Sequence, residues 1–228
     1  MIQVYVSEIL YDENEPLFCK KEEGYPLPHI VFQKIENTKN IRLAKERACA
    51  YRLLMKALSD NNISNDDVKN SFRFTEKGKP YLEGSFGVSF SLSHAEGLAA
   101  VIVSDCAASG IDIEKIDKSK SDLVRRSNER FFSKKLMNSG INEKITLIAP
   151  FEIEIEEYPD ITEEKVAANK ILEYDDFVLW TTSEAILKCD GGGFYSLKKL
   201  GSETENTRIK TFICSFKNDI FSLTVAIE

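Results

Sequence analysis

Apolar side chains recur at helical spacing in the first quarter of the chain. Steps of three and four residues predict a helix from about residue 43 to 58, with one face formed by Leu43, Arg47, Tyr51, Leu54 and Leu58. Arg47 is the charged member of this face. A charged residue in that position either lies at the edge of the face, with its aliphatic stem on apolar neighbours, or contacts an anion.

Three short strands are predicted in the middle of the chain. From Val88 to Ser93 apolar residues alternate with serines, which predicts a strand with one small polar face. Residues 98–104 form an apolar strand that we expect to be buried on both faces, and residues 110–114 form a third strand. Because the strands follow one another closely, we expect a single antiparallel sheet in meander order.

The C-terminal half contains the same kinds of element. Alternation predicts a strand at residues 151–155, and Asp160 is the expected N-cap of a helix that follows it. A helix is also predicted from about 175 to 188, followed by a closing hairpin of residues 211–216 and 221–227. We therefore predict an α+β fold of two halves, residues 1–106 and 107–228, each with a long helix packed on a small antiparallel sheet.

Composition narrows the class of protein. The 228 residues are 43% hydrophobic, which excludes intrinsic disorder, and the net charge of −7 argues against general binding to nucleic acid or an anionic membrane. No apolar stretch approaches the ~20 residues that span a bilayer, and the N-terminus lacks the features of a secretory signal. Five scattered cysteines without a C-x-x-C pair predict reduced thiols and a cytoplasmic protein.

Two carboxylates on the third strand are candidates for metal binding. Asp112 and Glu114 are two residues apart, so they point to the same face with Cα atoms ~6.6–6.8 Å apart, while Ile111 and Ile113 take the opposite face. Converging carboxylates suit Mg²⁺, which prefers oxygen ligands. The alternative is an ordinary amphipathic strand whose acids lie in water.

Further candidates lie on other elements. Glu184 shares a helical face with Phe177 and Trp180, so it is either a third metal ligand or a surface ion pair with Lys188, four residues on. His94 ends the serine strand and is either structural or a phosphate donor. Residues 115–135 carry eight basic and three acidic side chains, which indicates either a solvated helix face or a docking surface.

Taken in order, these segments resemble the surfactin-synthetase-type 4′-phosphopantetheinyl transferases over residues 40–195. The resemblance rests on Arg47 in a long helix, Gly78-Lys79-Pro80, Phe90-Ser91-Leu92-Ser93-His94, Gly110-Ile111-Asp112-Ile113-Glu114, Arg130-Phe131-Phe132-Ser133, and Trp180-Thr181-Thr182-Ser183-Glu184 through Lys188.

The resemblance implies a pseudo-twofold monomer with coenzyme A bound between the halves. Such an enzyme transfers the phosphopantetheine arm of coenzyme A to a serine of an acyl or peptidyl carrier protein and releases 3′,5′-ADP. The implied ligands of Mg²⁺, or alternatively Mn²⁺, are Asp112, Glu114 and Glu184. The implied phosphate contacts are Arg47, Lys79, Ser93, His94 and Lys188, and the implied catalytic residues are Glu184, Lys188 and His94.

The resemblance also implies which partners to expect. They are coenzyme A and a carrier protein docked on residues 115–135, without nucleic acid or membrane. The chain has Ser183 and Gly192 where the family commonly has lysines. Two alternatives therefore stay open: a non-catalytic module that binds coenzyme A or a carrier protein, and an unrelated α+β interaction protein.

Overall fold

The computed structural model describes residues 1–10, 27–131, 140–159, 174–191 and 206–228, without the side chains of residues 129–131. Within these ranges the helices are α1 (His29–Glu36), α2 (Ile41–Asp60), α3 (Asn65–Ser71), α4 (Ser121–Phe131) and α5 (Asp175–Asp190), with a short 3₁₀ helix at Lys118–Lys120. The strands are β1 (Ile2–Glu8), β2 (Phe72–Phe74), β3 (Pro80–Leu82), β4 (Ser89–Ala95), β5 (Leu98–Ser104), β6 (Ser109–Lys115), β7 (Ile145–Ile148), β8 (Glu154–Glu157), β9 (Arg208–Phe216) and β10 (Asp219–Ile227).

The first sheet has the strand order β4-β5-β1-β7. Its central strand β5 pairs antiparallel with β4 and β1, and all seven of its residues are buried, which confirms the prediction from its apolar sequence. Helix α2 packs on one face of this sheet and begins where the Asn40 side chain accepts a hydrogen bond from the Leu43 amide. Its inward residues Tyr51, Leu54 and Leu58 pack in one cluster with the odd-numbered residues of β5.

The second sheet is antiparallel throughout, in the order β6-β10-β9-β8. Helix α5 packs on its outer face, in very close contact with β6. A Cβ at Gly110 would lie 2.0 Å from the Ala185 carbonyl oxygen, so only glycine permits this approach of strand and helix.

The main core lies between the two sheets. Ile2, Val4 and Ile102 of the first sheet pack in one cluster with Ile111 and Ile113 of the second. The layers are therefore α2, first sheet, second sheet and α5, and the described chain is a mixed α+β structure, as predicted. The prediction of a purely antiparallel sheet within each half is wrong for the first sheet, because β7 comes from the C-terminal half and pairs parallel with β1.

The prediction that residues 110–114 continue the meander of β4 and β5 is wrong. Strand β6 pairs with β10 in the second sheet, because residues 105–108 lead from one sheet to the other, with the Asp105 amide donating to the Met1 carbonyl and the Ala107 amide to the Glu228 carbonyl. Alternation and spacing show that a strand exists, but its pairing partner lies over 100 residues away. The edges of β4 and β6 still meet, with Ser89 Oγ donating to Ser109 Oγ at 3.1 Å.

Element boundaries agree closely with prediction for the long helices, which span 41–60 and 175–190. The strand predicted at 151–155 lies instead at Glu154–Glu157, because Phe151 and Ile153 pack against the intersheet core before pairing begins. The helix expected at Asp160 and the segment 132–133 lie outside the described residues. No helix in the described ranges has both the length and the apolar character needed to cross a membrane.

Candidate functional site

A buried polar cluster lies where the edges of the two sheets meet. The Lys188 ammonium on α5 donates to Asp112 Oδ1 at 2.6 Å and to Ser93 Oγ at 2.9 Å. Ser93 Oγ in turn donates to Asp112 Oδ1 at 2.8 Å. Three of the predicted site residues, from β4, β6 and α5, therefore form one hydrogen-bonded group.

The sequence places Asp112 here through the two-residue period of β6. Ile111 and Ile113 are fully buried in the intersheet core, so Asp112 and Glu114 face α5 on the other side of the sheet. Asp112 is only 3% exposed. The alternative in which this acid lies in water is therefore wrong for Asp112.

Glu114 and Glu184 extend this cluster electrostatically. Burial raises the pKa of Glu114 to about 7, with a further rise from the Asp112 charge, while Lys188 and a hydrogen bond from Trp180 lower it. Burial likewise raises the pKa of Glu184 to about 7, again supported by Asp112 and opposed by Lys188. These contributions of opposite sign indicate that the carboxylates are close enough for their charges to repel. They also indicate that Lys188 compensates only part of the negative charge.

The donor chemistry of the cluster fits a hard divalent cation. Asp112 Oδ2 and Glu184 Oε1 are buried without a hydrogen-bond partner, and unpaired buried carboxylate oxygens are costly unless a cation or donor meets them. In the ranges that the structure describes, no three His, Cys, Asp or Glu side chains already have the arrangement of a metal site. Carboxylate oxygens are the ligand type that such a cation prefers, but their spacing is not that of a preformed ligand shell.

Lys188 is not simply the surface partner of Glu184. Its ammonium lies on Asp112 Oδ1, and its side chain is 31% exposed against 4% for Asp112. The alternative of a solvent-exposed i,i+4 pair between Glu184 and Lys188 is therefore not the arrangement observed, since Lys188 crosses from the helix to the strand.

His94 lies at the end of β4 beside α2. Its Nδ1 is 3.2 Å from Glu46 Oε2, although the two atoms are not aligned as a hydrogen bond. Burial lowers the pKa of His94, an effect that Glu46 opposes and that Lys188 and Arg47 reinforce. A neutral imidazole with Nδ1 near a carboxylate leaves Nε2 for another ligand.

The other two predicted phosphate contacts, Arg47 and Lys79, form hydrogen bonds with groups of the protein itself. Arg47 Nη1 donates to Thr38 Oγ1 at 2.8 Å. The Lys79 ammonium donates to the Cys189 carbonyl at 2.7 Å and to the Ser109 carbonyl at 3.3 Å. Their roles toward a ligand remain predictions.

A groove of about 590 Å³ opens beside the cluster, with Phe177 and Trp180 of α5 and His94 of β4 in its wall. The charged side chains along it are five acids and three lysines, namely Glu46, Glu96, Glu114, Asp117 and Asp219 with Lys115, Lys118 and Lys120. The excess of negative charge favours the binding of a cation in the groove. An anionic ligand would need a bound cation to compensate this charge.

Sequence comparison links the chain to a protein of named activity. The chain is similar to the curated 4′-phosphopantetheinyl transferase HetI of Nostoc sp. (strain PCC 7120), with 26% identity over 174 residues. The match covers 73% of this chain and 62% of HetI, so the chain spans less than two thirds of that relative's length. No protein-family model matches the chain.

Sequence reasoning missed Glu46 as part of the site. It is 9% exposed and lies at the groove between Arg42 and His94, with its Oε1 3.4 Å from Arg42 Nε. Its position three residues after Leu43 already places it on the inward side of α2, so an acid there needed a partner.

Proposed function

We propose that this protein is a phosphopantetheinyl transferase of the surfactin-synthetase type, dependent on Mg²⁺. It moves the phosphopantetheine arm of coenzyme A onto a serine hydroxyl of an acyl or peptidyl carrier protein. The observation that carries the proposal is the buried group of Asp112, Ser93 and Lys188, with two further carboxylates of raised pKa beside it. The similarity to HetI supports the same reaction.

Asp112, Glu114 and Glu184 are the proposed ligands of Mg²⁺, with Mn²⁺ as an alternative. When bound, the ion supplies positive charge that stabilises the negative charge developing on the pyrophosphate oxygens. The two buried carboxylate oxygens without partners support this assignment.

In the proposed reaction, the serine oxygen of the carrier attacks the pantetheine-bearing phosphorus of coenzyme A. The bond from that phosphorus to the 3′,5′-ADP oxygen breaks, and 3′,5′-ADP leaves with the electron pair. Glu184 accepts the serine proton. A carboxylate at the reacting centre can act as a general base.

The cationic and polar groups are proposed to bind the phosphates of coenzyme A. Lys188 and Ser93 contact the pyrophosphate beside the carboxylates, and His94 is a further proposed phosphate contact. Arg47 is a proposed phosphate contact at greater distance, whereas the Lys79 ammonium lies on the Cys189 and Ser109 carbonyls. Cationic side chains at the phosphates position the reacting atoms before the bond forms, and such positioning is a main source of rate in phosphoryl transfer.

The carrier protein is proposed to dock on the basic segment 115–135. Arg125 and Arg126 on α4 are exposed, as are Lys118 and Lys120 next to the groove. Leu123 is 66% exposed between these charges. A positive surface with an apolar centre suits an acidic helical partner.

The two layers on each side of the main core suggest the pseudo-twofold arrangement. Each of the proposed halves, 1–106 and 107–228, contributes one long helix and most of one sheet, and β7 of the second half completes the sheet of the first. We propose that coenzyme A binds where the halves meet, and that the active form is a cytoplasmic monomer.

Intact-protein mass spectrometry tests the proposal. A panel of apo carrier proteins is incubated with coenzyme A, Mg²⁺ and the enzyme. We expect at least one carrier to gain one phosphopantetheine arm, with 3′,5′-ADP released in equal amount. No mass gain on any carrier, with coenzyme A bound by the protein, would refute the transferase.

Position 183 favours a second candidate, a module that binds coenzyme A or a carrier without turnover. Ser183 is 1% exposed, and its hydroxyl donates to the Leu179 carbonyl at 2.7 Å, so this position supplies no cation. Calorimetry that shows coenzyme A binding, together with a blank mass assay, would establish this second candidate instead.

A further inference from the structure

Lys79 connects two distant parts of the chain. It lies in the turn between β2 and β3, where its own amide donates to Thr75 Oγ1 at 3.0 Å and Gly78 adopts a positive φ of 88°. From this fixed backbone the ammonium reaches the carbonyls of Cys189 and Ser109, at 2.7 and 3.3 Å.

Both carbonyl acceptors belong to elements that carry the site. Cys189 lies in the last turn of α5, directly after Lys188, and Ser109 begins β6 three residues before Asp112. Carbonyls in the last turn of a helix lack partners within the helix, and a cation there also meets the negative end of the helix dipole. One ammonium therefore joins the end of the helix to the start of the strand.

The residues around this Lys79 contact are tightly packed. Strand and helix touch at Gly110, where a Cβ would lie 2.0 Å from a helix carbonyl. At the helix end, Gly191 has a φ of 70° and the position of its absent Cβ is 3.2 Å from Lys79 Cδ. The lysine stem and the helix terminus thus pack directly on each other.

We propose that Lys79 is a positioning residue that holds the last turn of α5 against the start of β6. Through this contact it keeps the Lys188 ammonium within hydrogen-bonding distance of Asp112 and Ser93. The position of Glu184, one turn earlier on the same helix, follows from the same contact. The structural part stands by itself, and only its consequence for catalysis rests on the proposed function.

Hydrogen exchange tests the structural part without any assay of activity. Lys79→Met removes the donors and keeps the stem, Lys79→Gln keeps a shorter neutral donor, and Lys77→Met is the control, since Lys77 is exposed in the same turn. We expect amide exchange in residues 186–191 to accelerate about tenfold in Lys79→Met and less in Lys79→Gln, because a charged hydrogen bond is lost. Unchanged exchange in both Lys79 variants, or an equal change in Lys77→Met, would overturn the proposal.

Steady-state kinetics separates positioning from direct phosphate contact. For a positioning residue, kcat falls about tenfold or more while KM for coenzyme A changes much less, because Lys188 and Glu184 lose their alignment. Lys79→Arg, which retains charge and donors, should recover part of kcat. A rise in KM alone with normal exchange would instead make Lys79 a phosphate ligand. If the unmodified protein transfers nothing, the proposed function fails, and the exchange result still decides whether Lys79 holds the helix.

Discussion

Replacing Glu184 by glutamine should make the protein more stable while removing its proposed base. In the folded protein, burial and the Asp112 charge raise the pKa of Glu184 from 4.5 to about 7. Glutamine has nearly the same shape without the charge. It therefore removes the repulsion at the cluster while keeping the packing on α5.

The magnitude follows from the pKa shift. A rise from 4.5 to about 7 corresponds to an upper limit of about 3 kcal/mol, by which the ionised carboxylate lowers the free energy of unfolding. Asp112 and Glu114 share the same repulsion, so we expect an observed gain of about 1–3 kcal/mol at pH 8.

The sign depends on pH. Below pH 4.5 the carboxyl is protonated in both the folded and the unfolded chain, so it contributes nothing to the pH dependence. As pH rises from 4.5 to about 7, the unfolded chain loses the proton first, and the folded state is increasingly destabilised. The advantage of Glu184→Gln should therefore be small at about pH 4.5 and full at about pH 8.

Urea unfolding with a chelator present measures this difference. Glu96→Gln is the control, because Glu96 lines the same groove but its side chain is 51% exposed. Adding Mg²⁺ should raise the free energy of unfolding of the unmodified protein and have little effect on Glu184→Gln. A variant that is no more stable than the parent at pH 8, or equally stabilised at both pH values, would refute the electrostatic reasoning.

Three further predictions use other parts of the structure. Gly110→Ala should lower the free energy of unfolding by about 3 kcal/mol or more in urea titrations, because the added methyl collides with the α5 backbone; a loss under about 1 kcal/mol would disprove the close approach. The double variant Arg125→Glu, Arg126→Glu should lower kcat/KM for an acidic carrier about tenfold with coenzyme A affinity unchanged, and equal losses in both would remove the docking surface. In NMR titrations Glu46→Gln should lower the pKa of His94 further, since the Glu46 carboxylate raises it in the parent, and an unchanged pKa would show that the two do not interact.

Local patterns predicted the elements of the site well, because each rests on a short period. The two-residue alternation of β6 correctly placed Ile111 and Ile113 in the core and Asp112 on the opposite face. The period of α5 grouped Glu184 with Trp180 on one face, but both are only partly buried, and the fully buried side of the helix carries other residues such as Leu187. Such patterns depend on the nearest few residues, and the sequence displays them directly.

Contacts between distant segments could not be predicted in the same way. The pairing of β6 with β10 and the contact of Lys188 with Asp112 depend on how the sheets stack. The Lys79 ammonium was expected at a phosphate, and its carbonyl partner at Cys189 is 110 residues away. A lysine beside a glycine turn gives no indication of a helix end so far along the chain.

Manganese binding followed by electron paramagnetic resonance tests the central claim most directly. With coenzyme A present, one Mn²⁺ ion per chain should bind and be displaced by Mg²⁺, since both ions prefer carboxylate oxygens. Asp112→Ala should abolish this binding, and Glu96→Gln should leave it intact. Full Mn²⁺ binding in Asp112→Ala would contradict a metal centre built from Asp112, Glu114 and Glu184.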